Sequence, residues 1–447
     1  MTRPRSLPVR LLHLVAAVLV LVAVLPAPVR GQSDALEIDV SGARFEPLPL
    51  AFLPVTAEDP ALADRARAIG SVVQADLERS GLFELIPRAA FLKSEIPFDM
   101  APSFEDWRVI NAEALLIARL GRSEDGRLRV QFRAFDVVGG EQILGRQLVG
   151  EPRTQRRLAH KLADTVYAAL TGETGYFDSR MAFIDETGPK DARVKRLAIM
   201  DQDGENLSYL GPEGIILTPR FSPDGERLLY ISYDTGEPRV FLIDVASGRR
   251  ERLGNFPGMS FAPRFAPDGQ RLVLSLSERG NTDLYSFSLA DRRLTRLTRN
   301  PGIDTSADFS PDGRRLVFES DRGGSQQLYV MPGRGGPAER ISFGRGRYGT
   351  PVWSPKGDLI AFTKMVSGRF HIGVMRPDGS GERLLSTSFL DEGPSFAPNG
   401  RYLVFYRDEP GPRGTAMLIT VDVTGRNLRV VPTPNAASDP AWSPLRD

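Results

Sequence analysis

The 447-residue chain contains no cysteine and only three histidines. The first absence excludes disulfides, thiolate nucleophiles, lipid attachment through sulfur and any zinc site built on cysteine. The second leaves His13, His160 and His371 to supply any imidazole chemistry. No Gly-x-Ser-x-Gly elbow accompanies them, so a hydrolase triad of that kind lacks its nucleophile, and no Walker phosphate loop occurs. Neither sign of charge dominates, with 57 Lys and Arg against 56 Asp and Glu. Nothing in that balance points to a nucleic-acid partner. Asp201-Gln202-Asp203-Gly204 starts like a calcium loop but lacks the closing glutamate, so it reads as a tight turn between strands. No metal, cofactor or catalytic residue is expected.

Long apolar runs are equally scarce. Leu11 to Leu25 spans 15 residues behind a basic start of Arg3, Arg5 and Arg10, and small residues follow around Ala27 to Gly31. This is short for a membrane span and reads as a cleavable secretory signal over residues 1–31. Its removal takes away four arginines and moves the formal charge from +1 to −3. The mature chain is then expected to be an exported, soluble protein without membrane insertion, compatible with a bacterial periplasm.

What the sequence does have is a repeat. Its anchors are Phe221-Ser222-Pro223-Asp224-Gly225, Phe265-Ala266-Pro267-Asp268-Gly269, Phe309-Ser310-Pro311-Asp312-Gly313, Trp353-Ser354-Pro355-Lys356-Gly357, Phe396-Ala397-Pro398-Asn399-Gly400 and Trp442-Ser443-Pro444. Their prolines step by 44, 44, 44, 43 and 46 residues. A period in the forties with strand-like content predicts a β-propeller. Pro-Asp-Gly is turn chemistry, and apolar pairs such as Leu316 and Phe318 alternate as on one face of a strand. Lys356 and Asn399 replace the aspartate in two repeats, which a turn tolerates and a ring of carboxylates would not. The sixth unit has its first strand at the chain's end and its other strands near Met181–Ile184, Leu197–Met200 and Asn206–Tyr209. Ring closure by the last strand is therefore expected, giving six blades over residues 178–447.

Residues 45–172 differ in character. Leu48–Val55 reads as a buried strand, and Asp59-Pro60 opens a helix that Gly81 closes. Further strands are expected at Phe83–Ile86, Leu115–Ala118 and Leu128–Arg133, with a last helix carrying Leu158, Leu162, Val166 and Leu170. The predicted whole is a small N-terminal α/β domain followed by an all-β six-bladed propeller, α+β overall. His160 falls on that last helix and His371 on a blade strand, and a structural or surface role is expected for both. The short junction Glu173-Thr174-Gly175 suggests a fixed interface between the domains.

These features together resemble the TolB family of the Tol-Pal envelope system. The most specific segments are Ser386-Thr387-Ser388-Phe389-Leu390-Asp391-Glu392-Gly393-Pro394-Ser395 and Pro440-Ala441-Trp442-Ser443-Pro444. The resemblance implies a non-enzymatic periplasmic scaffold that binds the lipoprotein Pal through one propeller face and TolA through its N-terminal segment, supporting outer-membrane integrity and cell division. It places Pal contacts at Met259, Ala262, Thr305, Asp391 and Glu392, upstream of three anchors; Met259 stands where the family has a histidine. The TolA segment is expected within residues 32–44, at Leu36, Glu37, Ile38, Asp39 and Val40, whose alternating pattern suits addition to a partner's sheet edge. Two other readings stay open on residues alone. One is a propeller binding a ligand or metal in its channel; the other is a non-catalytic propeller of a peptidase-like system. On this view the Pro-Asp-Gly turns mark the quieter face.

Overall fold

The computed structural model describes residues 46–446. The signal at 1–31 and the segment Leu36–Val40 lie outside the described residues. The α/β domain holds six strands: β1 (Leu48–Phe52), β2 (Thr56–Ala57), β3 (Phe83–Leu85), β4 (Ala114–Arg122), β5 (Leu128–Asp136) and β6 (Glu141–Gly150). Their order is β3-β1-β4-β5-β6, with β2 pairing β4. The pairs β3–β1 and β1–β4 are parallel, whereas β4–β5 and β5–β6 are antiparallel. Helices α1 (Ala63–Ser80) and α3 (Gln155–Thr171) bury Ile69, Val73, Leu77, Leu158, Leu162 and Val166 against one face of the sheet. The short α2 (Phe104–Arg108) places Trp107 on the other face, beside Leu115 and Phe135. Asp59 caps the turn before α1 by accepting from the Ala61 amide, and Gly81 closes α1 at φ 71°.

Six four-stranded sheets follow. Blade 1 runs from Ile216 to Arg252, blade 2 from Met259 to Arg296, blade 3 from Asp304 to Arg340, blade 4 from Arg347 to Leu384 and blade 5 from Leu390 to Val431. Blade 6 combines the last strand, Ala436–Trp442, with Arg180–Thr187, Val194–Asp201 and Ser208–Gly214. The propeller's first and last strands thus share one sheet, which closes the ring of packed blades. First strands of neighbouring blades abut one another around the ring, so they line the channel. Each Pro-x-Gly turn closes on itself, as where Gly313 N donates to Ser310 O at 2.8 Å and the Ser310 hydroxyl meets Asp312 Oδ1 at 2.6 Å.

The turns between first and second strands, and between third and fourth, all emerge on one face, here the turn face. The loops leading into each first strand emerge on the other, the mouth face. The α/β domain docks on the turn face, against blades 5 and 6. Its core is continuous with theirs, because Tyr167, Leu77 and Leu82 join one buried cluster with Tyr176, Tyr402, Leu418 and Trp442. The turn face is therefore the occupied one, the reverse of a quiet surface. Its turns are built to receive a helix end, as the side chains below show.

Candidate functional site

On the mouth face every first strand breaks register once, three residues before its anchor. The residue at each break has positive φ: Thr218 50°, Ala262 44°, Ser306 54°, Thr350 45°, Gly393 66° and Asp439 51°. Five of the six are not glycine, and two are β-branched, where such a backbone is strained. A bulge of this kind bends the strand and re-aims the residues that precede it. The same six positions carry the repeat, and a proline follows in five of them: Pro219, Pro263, Pro351, Pro394 and Pro440. Acidic side chains hold the bulge amides: Thr218 N donates to Asp439 Oδ2 at 3.2 Å and Thr350 N to Glu319 Oε2 at 2.7 Å.

The predicted contact residues fall at and before these bulges. Met259 opens its strand and is 45% exposed, directly after Gly258. Ala262 is itself a bulge residue, half-buried at the channel mouth. Thr305 is half-buried opposite Glu319 in a cleft of about 380 Å³ shared with Ile303, Asp321 and Arg347. Glu392 is half-buried, accepts the Tyr406 hydroxyl at 2.9 Å, and has its carboxyl pushed up by burial with the Asp439 charge adding to it. Asp391 differs. It is fully buried, gripped by Arg407 at 2.7 and 2.8 Å and hydrogen-bonded by Ser386 and Ser388 at 2.7 and 2.6 Å. Every acceptor position is committed internally, so it fixes the loop and does not present a carboxylate to a partner.

Sequence reasoning missed most of the apolar collar on this face. Ile215, Ile303, Phe343 and Phe389 are exposed in loops leading into blades 1, 3, 4 and 5, and Met259 holds the equivalent place in blade 2. Phe343 is 74% exposed, with the Arg340 guanidinium 5.2 Å from its ring centroid. The available signal was positional, since Ile215, Met259 and Ile303 each stand six residues before an anchor phenylalanine. Below the collar, Arg220, Arg264, Asp308 and Asp439 lie in the first strands. Burial pushes the Arg220 guanidinium down to about 9, with Arg264 repelling it and Asp439 and Asp308 opposing the fall. Burial pushes Asp308 and Asp439 up.

The two histidines kept after the predicted signal are both buried. His371 meets Ser386 O at 3.1 Å and Thr387 Oγ1 at 2.9 Å in blade 4. His160 lies between the domains, its Nδ1 2.5 Å from Asp76 Oδ2 of α1 and its Nε2 3.9 Å from Asp203 Oδ2. Asp203 comes from the Asp201–Gly204 turn, which closes with Gly204 N donating to Asp201 O at 3.0 Å. The Asp76, His160 and Asp203 donors lie within 4.8 Å of one another. They do not converge on one point, because the carboxylates approach opposite ring nitrogens and each also pairs with a guanidinium, Arg79 or Arg156.

A family model for the TolB beta propeller domain matches residues 167–446, and one for the TolB amino-terminal domain matches residues 36–143. The chain belongs to the TolB family. It is similar to the crystal structure of TolB from Acinetobacter baumannii, with 29% identity, a TM-score of 0.77, and coverage of 92% of this chain and 100% of that one. The putative TolB from Agrobacterium tumefaciens is 20% identical, with a TM-score of 0.46 over 58% of this chain and 91% of that chain. An oligogalacturonate lyase from Vibrio parahaemolyticus is 15% identical, with a TM-score of 0.37 over 56% and 72% of the two chains. Membership makes the TolB-family chain a Tol-Pal component carrying a propeller. Among the described residues no helix is long and apolar enough to cross a membrane.

Proposed function

We propose that this TolB-family chain is a periplasmic, non-enzymatic scaffold that captures the lipoprotein Pal on its mouth face and TolA through Leu36–Val40. In that role it supports outer-membrane integrity and constriction during division. The observation that carries the Pal assignment is the collar of Ile215, Met259, Ile303, Phe343 and Phe389, exposed on the face opposite the docked α/β domain. Exposed apolar side chains in the entering loops of one face suit a protein partner. Met259, Ala262, Thr305 and Glu392 belong to that surface in this reading, and Asp391 supports it from inside.

Capture from an envelope extract tests both sites. Ile303→Asp, Phe343→Asp, Thr305→Arg and Ala262→Trp should each lower Pal recovery roughly tenfold, about 1.4 kcal/mol of binding, with TolA recovery unchanged. Deleting residues 33–40 should do the opposite. Unchanged Pal recovery in all four variants would remove Pal from this face, and joint loss of both partners on the deletion would count against separate sites.

A further inference from the structure

The joint between the domains buries an unusual density of titratable groups. His160 of α3 is 1% exposed and faces groups from every element packed on it. From α1 come Asp76 and Arg79, and from its own helix Arg156, Arg157, Lys161 and Asp164. The junction brings Asp178, the blade 6 turn brings Asp201 and Asp203, and the tail brings Arg446. Asp76 is held on its other oxygen by Arg79 at 2.8 Å and by Gln202 Nε2 at 3.0 Å, so one carboxylate ties α1, α3 and the propeller turn together. The imidazole sits at the centre of that tie.

Its two nitrogens are not equivalent. Nδ1 donates to Asp76. Nε2 is buried with no hydrogen-bond partner and looks toward Asp203, 3.9 Å away. With a proton on Nε2 the ring presents positive charge to carboxylates on both sides. Without it, a buried lone pair with no donor of its own faces a carboxylate that only Arg156 and the Glu205 amide satisfy. Only the doubly protonated ring is complementary to both the α/β domain and the propeller.

We propose that Asp76, His160 and Asp203 form a proton-operated latch between the two domains, closed while both ring nitrogens carry protons and loosened when Nε2 loses its proton. The direction follows from the surroundings. Burial disfavours the imidazolium, but Asp76, Asp203 and Asp201 outweigh it and hold the ring above its ordinary value of 6.5. A group raised on docking contributes its stabilisation fully below about 6.5 and loses it as pH rises through the docked value. The latch therefore closes below about 6.5 and loosens as pH rises through the docked value, which lies above it. It adjusts the docked face and leaves the collar on the mouth face untouched, so it stands whether or not Pal is the partner there.

A chain with no cysteine of its own accepts a donor–acceptor dye pair at introduced cysteines, Ser71→Cys on exposed α1 and Thr235→Cys on exposed blade 1. The full chain should give one transfer efficiency at pH 5.5 and a second, growing population by pH 8.5. His160→Gln, which retains an amide donor but cannot titrate, should lose most of the response above pH 7, and Asp164→Asn, which removes the other junction titration, should keep that part. Persistence of the full response above pH 7 in His160→Gln, or its loss there in Asp164→Asn alone, would overturn the latch. NMR titration of the chain lacking residues 1–31 decides the matter if His160→Gln does not fold, with His371→Gln assigning the two remaining ring signals. A His160 midpoint above 6.5 supports the latch, and one below 6.5 refutes it.

Discussion

The Tyr402 hydroxyl, on blade 5, donates a 2.6 Å hydrogen bond to the carbonyl oxygen of Ser80, the last residue of α1. A helix leaves its final carbonyls without partners inside the helix. Here the propeller supplies them: Asn427 Nδ2 reaches Arg79 O at 2.8 Å and Ser80 O at 3.0 Å, and Arg429 reaches Glu78 O at 3.3 Å. The third-to-fourth-strand turn of blade 5 thus acts as a cap for a helix in another domain. Tyr402 also packs its ring 4.5 Å from Tyr176, which in turn lies 5.8 Å from Trp442 of the closing strand.

Tyr402→Phe keeps the ring packing and deletes one donor to a buried carbonyl. Ser80 O keeps its Asn427 partner, so the loss is that of one hydrogen bond, about 0.5–1.5 kcal/mol. The expected outcome in urea is a destabilisation of that order in the transition that reports domain docking, with little change in blades far from the joint. Asn427→Ala removes two donors from the same helix end and should cost at least as much. If both variants unfold like the parent, the cap contributes nothing to docking.

A second prediction concerns Asp164, whose carboxylate accepts from Phe177 N at 2.7 Å and Asp178 N at 2.9 Å and so pins the interdomain junction. Burial pushes this carboxyl up to about 7 from its ordinary 3.8, against the pull of those two amides. Because the folded value is raised, the contribution is fully present below about 3.8 and is lost as pH climbs toward 7. Stability should therefore decline across that window, by at most roughly 4 kcal/mol from this group. Asp164→Asn, measured by chemical denaturation at pH 4.5 and 7.5, should show a visibly smaller decline than the parent. An equal decline in both proteins would assign the pH dependence elsewhere.

Much of this architecture was legible in the repeat. Spacing and turn residues predicted six blades and closure by the strand at the Trp442-Ser443-Pro444 anchor, which is Ala436–Trp442 in the structure, and Asp59 and Gly81 marked the ends of the first helical segment. The turn reading of Asp201–Gly204 is also what the structure shows. The sequence was silent where partners come from distant positions. Asn427 and Tyr402 look like ordinary blade residues until α1 is set beside them, more than 300 positions away in the chain. Asp391 looked exposed because loop acids usually are, yet Arg407, 16 positions on, encloses it. The left-handed bulges left only a trailing proline as a sign, since nothing about Thr218 or Thr350 in isolation favours positive φ.

That strain yields a third prediction. Thr218 combines φ of 50° with a buried hydroxyl that has no hydrogen-bond partner. Thr218→Gly removes both penalties and should stabilise the propeller by about 1 kcal/mol, net of the flexibility glycine adds to the unfolded chain. Thr350 has a similar φ of 45°, but its hydroxyl is bonded to Thr363 Oγ1 at 2.7 Å. Thr350→Gly should accordingly gain less or lose slightly. Urea midpoints for the two variants give the comparison, and equal gains would mean that the orphaned hydroxyl does not matter.

The last prediction separates support from contact on the mouth face. Asp391 and Glu392 are adjacent in sequence but live in different environments, one enclosed by Arg407, Ser386 and Ser388 and the other half-buried beside Tyr406. Asp391→Asn leaves the Arg407 guanidinium without its counter-charge, and breaking a buried pair from one side costs about 3–5 kcal/mol. Replacing both partners with apolar residues, Asp391→Leu with Arg407→Leu, should recover part of that loss because no charge is stranded. Glu392→Gln preserves an acceptor for Tyr406 and should leave the urea midpoint within about 0.5 kcal/mol of the parent. Partner capture then divides the two roles. Asp391→Asn should weaken capture in proportion to its instability and regain it in the double variant, whereas any effect of Glu392→Gln should appear at full stability. If the double variant is as unstable as Asp391→Asn, the stranded charge is not the cause, and the role assigned to the Asp391–Arg407 pair is wrong.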